Sequence, residues 1–179
     1  MSWRPRLYGL MAEFHEPADV VAAARAAREA GYRKLDAYSP YPIEELAEAL
    51  HFHSRLPLIV LLGGLGGLVA GYGLQYWASV LEYPMNIGGR PFHSWPAFVV
   101  PSFETTILFA ALSAVLGMLA LNGLPEPYHP VFNVPSFALA TRDRFFLCIE
   151  AADPKFDESE TRRFLEGLDG VAAIAEVEP

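Results

Sequence analysis

The sequence predicts an α+β membrane protein in which a hairpin of two transmembrane helices interrupts a small folded domain. Two long apolar stretches, Leu56–Leu81 and Thr105–Leu124, contain no charged residue. Each has about the 20 residues that a helix needs to cross a bilayer core of about 30 Å. Strands are excluded there because hydrocarbon leaves the backbone of an open strand unsatisfied. The alternative is a pair of buried core helices in a soluble domain, which are usually shorter.

Residues 1–55 predict the first half of the folded domain. Leu7–Phe14 and Tyr32–Tyr38 have the composition of strands, and an alanine-rich helix opened by Pro17 lies between them. Gly31 is expected just after the end of that helix, where a positive φ is common. This half therefore forms a β-α-β unit, and a further short helix leads into the first span.

Residues 125–179 begin with a proline-rich connector that leaves little room for regular structure. Two segments that follow, Phe137–Ala140 and Arg144–Ala151, are expected to be extended. They form either one bent strand or a hairpin.

The chain closes with a helix and a strand. A capping-box-like pattern at Asp157 starts the helix, Gly170 follows it, and Val171–Val177 is the expected last strand. Neither β-α-β half can cover its own sheet. Together they predict a split ferredoxin-like sandwich whose halves pair across the inserted hairpin. Pairing requires both halves on one side of the membrane, which two spans provide.

Lysine and arginine predict the orientation. Of the 13, seven precede the first span, five follow the second and only Arg90 lies between them. The positive-inside rule then places both termini in the cytoplasm and the loop outside. We expect spans at about 57–81 and 103–124, joined by an external loop at 82–102. The N-terminus lacks the apolar segment of a signal peptide, so removal of this end is not expected.

Composition excludes several functions. The net charge of −8 disfavours nucleic acid as a partner, because phosphate binding needs a basic face. The single cysteine, Cys148, permits no intramolecular disulfide, CxxCH haem site or four-cysteine cluster, and its apolar surroundings predict a buried thiol. Neither span contains histidine, and we find no zinc spacing or Ser-His-Asp pattern. The sequence therefore predicts no catalytic equipment, cofactor or metal in this chain.

Glycines in the first span predict close helix packing. Gly63, Gly67 and Gly71 stand four residues apart and form one stripe on a helix. The second span offers small residues as a match, namely Ala110, Ser113, Ala114 and Gly117. Two interpretations stay open: the stripe packs against a partner in a larger membrane complex, or the hairpin packs on itself.

The loop Glu82–Glu104 is the most distinctive part of the chain. Its prolines and aromatic residues predict a compact, non-helical path at the outer interface. The side chains expected to form an aromatic belt at the headgroups are Tyr83, Phe92, Trp95 and Phe98. Arg90 and His93 are expected within reach of Glu82 or Glu104, either as a structural clasp or as part of a proton path or quinone-proximal site. Glu104 is either a helix-end anchor or a proton relay.

The same loop carries a resemblance. YPMNIGGRPFHSWPAF, followed by PSFETTIL, resembles the signature of the D subunit of bacterial alternative complex III, a quinol:electron-acceptor oxidoreductase. The opening YGLMAEF and the order of the elements match that family as well, so the resemblance covers nearly the whole chain. The loop positions that carry it are Asn86, Gly88, Gly89, Arg90, His93, Trp95 and Glu104.

The resemblance implies a cofactor-free, non-catalytic structural or assembly subunit in a bacterial inner membrane, within a respiratory or photosynthetic electron-transport chain. Haem c and iron–sulfur clusters would belong to partner subunits, and quinol would meet large multi-span subunits. No catalytic role for the loop residues comes with it. The alternative from the residues alone is a stand-alone membrane-anchored sensor or ligand-binding protein with a ferredoxin-like domain.

Overall fold

The computed structural model describes residues 7–179, which fall into two compact units. One unit combines the two ends of the chain, up to Phe52 and from Pro127 onwards, and the other is the continuous segment His53–Glu126. We call them the sheet unit and the hairpin unit. Arg4 and Arg6, which contribute to the predicted orientation, lie outside the described residues.

The sheet unit is built on four strands in the order β2-β3-β1-β4, with every neighbouring pair antiparallel. Their bounds are Gly9–Phe14 for β1, Leu35–Tyr38 for β2, Phe145–Glu150 for β3 and Val171–Val177 for β4. Within the described residues, every strand pairing joins a strand that precedes the hairpin to one that follows it. Neither half forms a sheet alone, so the prediction that the halves pair across the inserted hairpin is confirmed.

Helices cover one face of this sheet. The helices of the unit are α1, Pro17–Glu29, α2, Glu44–Ala49, and α5, which spans Glu158–Glu166. The expected alanine-rich helix is α1, and its buried face consists of Val20, Ala23, Ala24 and Ala27. It packs against the side chains of Leu10, Ala12 and Phe14, which alternate along β1.

The predicted helix signals agree with the structure. The Asp157 carboxylate accepts hydrogen bonds from the backbone amides of Ser159 and Glu160 at 3.0 and 2.9 Å, so it caps α5. Gly31 follows the end of α1 with a φ of +98°. The predicted start of β2 at Tyr32 is wrong, because the Tyr32 amide donates to the Ala27 carbonyl of α1 at 3.1 Å and the strand begins only at Leu35. The Tyr32 side chain is buried in the core, where its hydroxyl donates to Thr161 Oγ1 at 3.1 Å.

The connector covers the opposite face of the sheet. Phe137–Ala140, expected to be extended, instead lies in a 3-10 helix, Pro135–Thr141, preceded by a second one, Pro130–Asn133. An extended segment has no place here because both edges of β3 are already paired with β1 and β2. The 3-10 helices bury a second core, composed of Met11, Val131, Val134, Phe137, Ala140, Phe146, Cys148 and Val177.

The hairpin unit contains two long helices. Helix α3, Leu56–Tyr76, continues as a π-helix over Trp77–Glu82, and α4 spans Trp95–Leu121. Both 27-residue helices are long and apolar enough to cross a membrane. The second begins well before the expected residue 103, because Pro96 sits in its first turn, where proline's fixed φ suits a helix. The non-helical loop is therefore limited to residues 83–94.

Candidate helix-packing interface and its loop

The glycine stripe, Gly63, Gly67 and Gly71, lies against α4. A Cβ atom at Gly67 would stand 2.5 Å from the carbonyl oxygen of Thr105 and 2.8 Å from Cβ of Phe109. Cβ atoms at Gly63 and Gly71 would collide with the hydroxyls of Ser113 and Thr105. The stripe thus brings the two helix backbones to a distance that no larger residue permits.

The other glycines separate into two groups. Gly117 of α4 lies in the same contact, where a Cβ would be 3.1 Å from Cγ2 of Ile59, and Gly64 faces Ala110. Gly66 and Gly73 have open space instead, with no described atom within 4 Å of an added Cβ. The hairpin therefore packs on its own stripe and presents a different small-residue surface outward.

Hydrogen bonds between polar groups cross the interface of the two helices near Pro101. Nε2 of Gln75 lies 3.0 Å from the Gly71 carbonyl, 3.1 Å from the Phe98 carbonyl and 3.0 Å from Ser102 Oγ. Ser102 is 2% exposed, and its hydroxyl donates to the Phe98 carbonyl at 2.7 Å. The Gln75 side chain is half-buried. Hydrogen bonds of this kind stabilise pairs of membrane helices, because an unpaired polar group in hydrocarbon costs free energy.

The loop is fastened to α3 by a group that we call the histidine clasp. Nε2 of His93 lies 2.6 Å from the Tyr72 hydroxyl. The imidazole also makes edge contacts with Tyr72 and Tyr76, at centroid distances of 6.1 and 5.3 Å, and a tilted contact with Phe98. Tyr72 and Tyr76 are one helical turn apart, so both reach the same ring.

The loop charges do not pair with one another among the described residues. His93 binds Tyr72 rather than a carboxylate, and within the described residues Arg90, Glu82 and Glu104 form no ion pair. The acids lie at the end of the first helix and within α4, with their side chains exposed. The loop is therefore held by His93 and aromatic side chains, and not by an ion pair.

The predicted aromatic belt divides in two. Tyr83, Phe92 and Trp95 are exposed, as lipid-facing side chains would be. Phe98 is only 4% exposed, because it packs in an edge-to-face contact with Tyr72. It belongs to the contact between the helices and not to the belt.

A tight turn sets the tip of the loop. Gly88 and Gly89 have φ values of +60° and +78°, and the Arg90 amide donates to the Ile87 carbonyl at 3.2 Å, as in a type I′ turn. The Asn86 side chain accepts a hydrogen bond from the Gly89 amide at 2.9 Å. The signature residues Asn86, Gly88 and Gly89 therefore serve one purpose, which is to fix this turn.

Arg90 lines a groove of about 430 Å³ beside that turn. We call it the Arg90 groove, and its other lining residues are Ala78, Ser79, Tyr83, Met85, Ile87, Pro91, Phe92 and Phe98. Two of them belong to the π-helix, whose wider turns are frequent at functional sites. The groove combines one cation with lining side chains that are mostly apolar.

The sheet unit has a separate cavity of about 700 Å³ between β2 and the 3-10 helices, lined mainly by apolar and aromatic side chains. Tyr38 and His129 contribute to its wall. Burial, together with the carboxylates of Asp36 and Glu150, raises the pKa of the neighbouring Cys148 thiol to about 12. The predicted burial of the thiol is confirmed, since Cys148 is only 1% exposed.

Sequence reasoning missed Gln75, Ser102 and Tyr72 as members of the interface. Gln75 was detectable, since it is the one strongly polar residue in an otherwise apolar span. Ser102 and Tyr72 gave no comparable signal, because their partners lie across the hairpin. Among residues 7–179, no group of three or more histidine, cysteine or acidic side chains is arranged to hold a metal ion.

These features define a class of protein: a mixed α/β unit with a four-stranded antiparallel sheet, interrupted by two candidate membrane helices. A family model described as "Alternative complex III, ActD subunit" matches residues 8–174. The chain therefore belongs to this family, and it is a subunit of an oxidoreductase complex at a membrane. Its partners include other subunits of alternative complex III.

A second comparison finds a weaker likeness. The chain is 34% identical over 119 residues to a polyketide transferase of Gibberella fujikuroi, a match that covers 63% of this chain and 35% of the relative. The chain thus spans about a third of the length of that curated protein.

Proposed function

We propose that this chain is a non-catalytic, cofactor-free subunit that holds a membrane quinol:electron-acceptor oxidoreductase together. The supporting observation is the division of the small residues in the hairpin. Gly63, Gly67 and Gly71 contact α4 within the hairpin. Gly66 and Gly73 instead lie on an outer face of α3, next to exposed leucines. Small residues on an outer face let a helix of a multi-span neighbour approach closely.

The strand order of the sheet unit supports a ferredoxin-like domain on one side of the membrane. Its strand order, with each half inserting a strand between two strands of the other, is that of a ferredoxin-like sandwich. Such a sheet forms only if both ends of the chain meet on one side of the membrane. By the positive-inside rule, that side is the cytoplasm of a bacterial inner membrane.

Purification of the tagged chain from its native membranes in a mild detergent tests the subunit role. We expect partner subunits that carry haem c and iron–sulfur centres to elute with it, and the chain separated from them to bind neither group. Elution of the chain alone, or haem bound to the separated chain, would contradict the proposal.

Variants at the outer face test how the partners are held. Gly66→Leu should lower the yield of the assembled complex severalfold, because the added side chain occupies space reserved for a neighbour. The same variant should leave the hairpin of the isolated chain as stable as before, since no atom of the described residues lies within 4 Å of a Cβ added at Gly66. Gly66→Ala is the graded control, and an unchanged yield for Gly66→Leu would exclude a partner helix at this face.

The orientation has its own test. Ser159 is exposed in the sheet unit, and Ser94 is the N-cap residue that precedes α4. Cysteines placed at these positions should react with an impermeant maleimide from opposite sides of a sealed vesicle. Reaction from the same side would contradict the two-span arrangement.

A second candidate function, ligand binding, is favoured by the cavity of about 700 Å³ in the sheet unit. Its apolar wall and the Tyr38 and His129 side chains suit a small molecule with an aromatic or aliphatic body. Membership of the family supports such a site within a complex rather than in a stand-alone sensor.

A further inference from the structure

We propose that the Arg90 groove binds the headgroup of an anionic phospholipid, with the start of an acyl chain on its apolar wall. This inference depends on the membrane location of the hairpin. It does not depend on which subunits surround it.

The first argument is the isolation of the charge. Arg90 is the only lysine or arginine between Arg55 and Arg142. In the described part of the chain it has no carboxylate partner, and its own backbone is fixed by the turn at Ile87. An exposed guanidinium group without an anion beside it is suited to bind a phosphate, which it can engage with two parallel hydrogen bonds.

The second argument is the surface beside the charge. Three side chains of the groove are conspicuously open, with Tyr83, Met85 and Ile87 between 67% and 73% exposed. Apolar side chains of this size rarely cluster on a surface that faces water alone. Next to a cation at the end of two apolar helices, they match the junction of a lipid headgroup with its acyl chains.

The shape of the groove follows from the elements around it. The π-helix supplies the small side chains of Ala78 and Ser79 to the lining of the groove, and the loop supplies Pro91 and Phe92. The histidine clasp holds the loop on α3, so the groove exists before any ligand enters. Preorganisation of this kind lowers the entropic cost of binding.

Tryptophan fluorescence provides the test, because Trp77 and Trp95 are exposed. Trp77 directly precedes the groove residue Ala78, and Trp95 lies between the groove residues Phe92 and Phe98 in the sequence. The full chain, with Trp3→Phe in every variant to remove the third tryptophan, is reconstituted into vesicles of phosphatidylcholine and phosphatidylglycerol. The quencher is brominated phosphatidylglycerol in one set and brominated phosphatidylcholine in the other. We expect stronger quenching by the anionic lipid, and Arg90→Gln should reduce this preference about fivefold, the effect of one basic side chain near an anionic surface.

Two further variants control the result. Arg90→Lys keeps the charge and should retain most of the preference. Arg55→Gln removes one positive charge at the opposite end of α3 and should leave the preference unchanged. Equal quenching by the two lipids, no quenching by either, or a preference that survives Arg90→Gln would each overturn the proposal.

One outcome would identify a different ligand. If the wild-type chain shows no lipid preference but Arg90→Gln lowers the yield of the assembled complex, Arg90 pairs with a carboxylate of a partner subunit and the lipid proposal is wrong. Because the quenching experiment uses the isolated chain, its result is independent of whether the proposed structural role holds.

Discussion

The hydroxyl of Tyr72 lies 2.6 Å from Nε2 of His93, so the loop between the two long helices is fastened to the first of them. We expect Tyr72→Phe to loosen this loop, because it removes the hydrogen bond and keeps the aromatic ring. Amide hydrogen exchange at residues 86–93 should become faster, while exchange in the sheet unit stays the same. Tyr128→Phe, which alters an exposed tyrosine of the sheet unit, is the matched control.

The same variant separates two interpretations of His93. A structural clasp predicts that quinol oxidation by the assembled complex keeps its rate and pH profile in Tyr72→Phe. A proton path through His93 predicts a large loss of turnover with normal assembly, and that result would contradict the structural role.

The glycine stripe makes a graded prediction. Gly67→Ala should destabilise the hairpin by about 1–3 kcal/mol, the usual cost of adding a methyl group where there is no room. The added Cβ would lie 2.5 Å from a backbone carbonyl, which cannot rotate away. Gly66→Ala, one residue earlier and facing open space, should change stability by less than about 0.5 kcal/mol. Denaturation by sodium dodecyl sulfate in bicelles, followed by tryptophan fluorescence, measures both, and equal effects would show that the stripe is not the contact.

Much of this arrangement was predictable from the sequence. Composition alone identified both long helices, and strand-like composition with turn signals identified the segments that contain the four strands. What could not be predicted depends on distant partners. The 3-10 helix at Phe137 arises because both edges of β3 are already paired. The partner of His93 is Tyr72, which lies 21 residues earlier in the chain, on α3. The early start of α4 was hidden by Pro101, which reads as a loop residue but lies inside the helix.

Cys148 should resist chemical modification in the folded protein. The thiol is buried under the connector, and burial raises its pKa to about 12, so the reactive thiolate is scarce at pH 8. We expect no labelling by N-ethylmaleimide until denaturant unfolds the sheet unit, as measured by mass spectrometry. Ser159→Cys, at an exposed position, should label at once in the same sample. Rapid reaction of Cys148 in the native state would show that the 3-10 helices do not cover the sheet.

Asp153 should make the sheet unit sensitive to acid. Its carboxylate is 5% exposed and accepts hydrogen bonds from the amides of Arg33, Lys34 and Lys155 at 2.6, 2.6 and 2.8 Å. Burial opposes ionisation, but these amides outweigh it and lower the pKa of Asp153 below its usual value of 3.8.

Because the pKa of Asp153 is lower in the folded state, the ionised carboxylate stabilises the protein at every pH above the pKa of the unfolded state. This stabilisation is lost as the pH falls through the pKa of the folded state. Asp153→Asn should therefore cost about 1–3 kcal/mol at pH 7 and much less at low pH. Hydrogen exchange of β1 and β3 amides between pH 3 and 7 checks this. A constant difference across that range would show that the charge of Asp153 is not involved.

Glu150 should have the opposite effect. Burial and the neighbouring carboxylate of Asp36 raise its pKa above 4.5, so its ionised form is held unfavourably in the folded protein at neutral pH. Because the pKa of this acid is higher in the folded state, folding becomes more favourable as the pH falls through that pKa. Above it, the free-energy cost of the ionised carboxylate is fully present.

Glu150→Gln should therefore stabilise the sheet unit at pH 7, and this advantage should shrink below about pH 4, where the carboxyl group is protonated in both states. Thermal unfolding of the full chain at the two pH values, with the exposed Glu160→Gln as control, measures the difference. A loss of stability at pH 7 would mean that the ionised carboxylate has a stabilising partner in the intact protein.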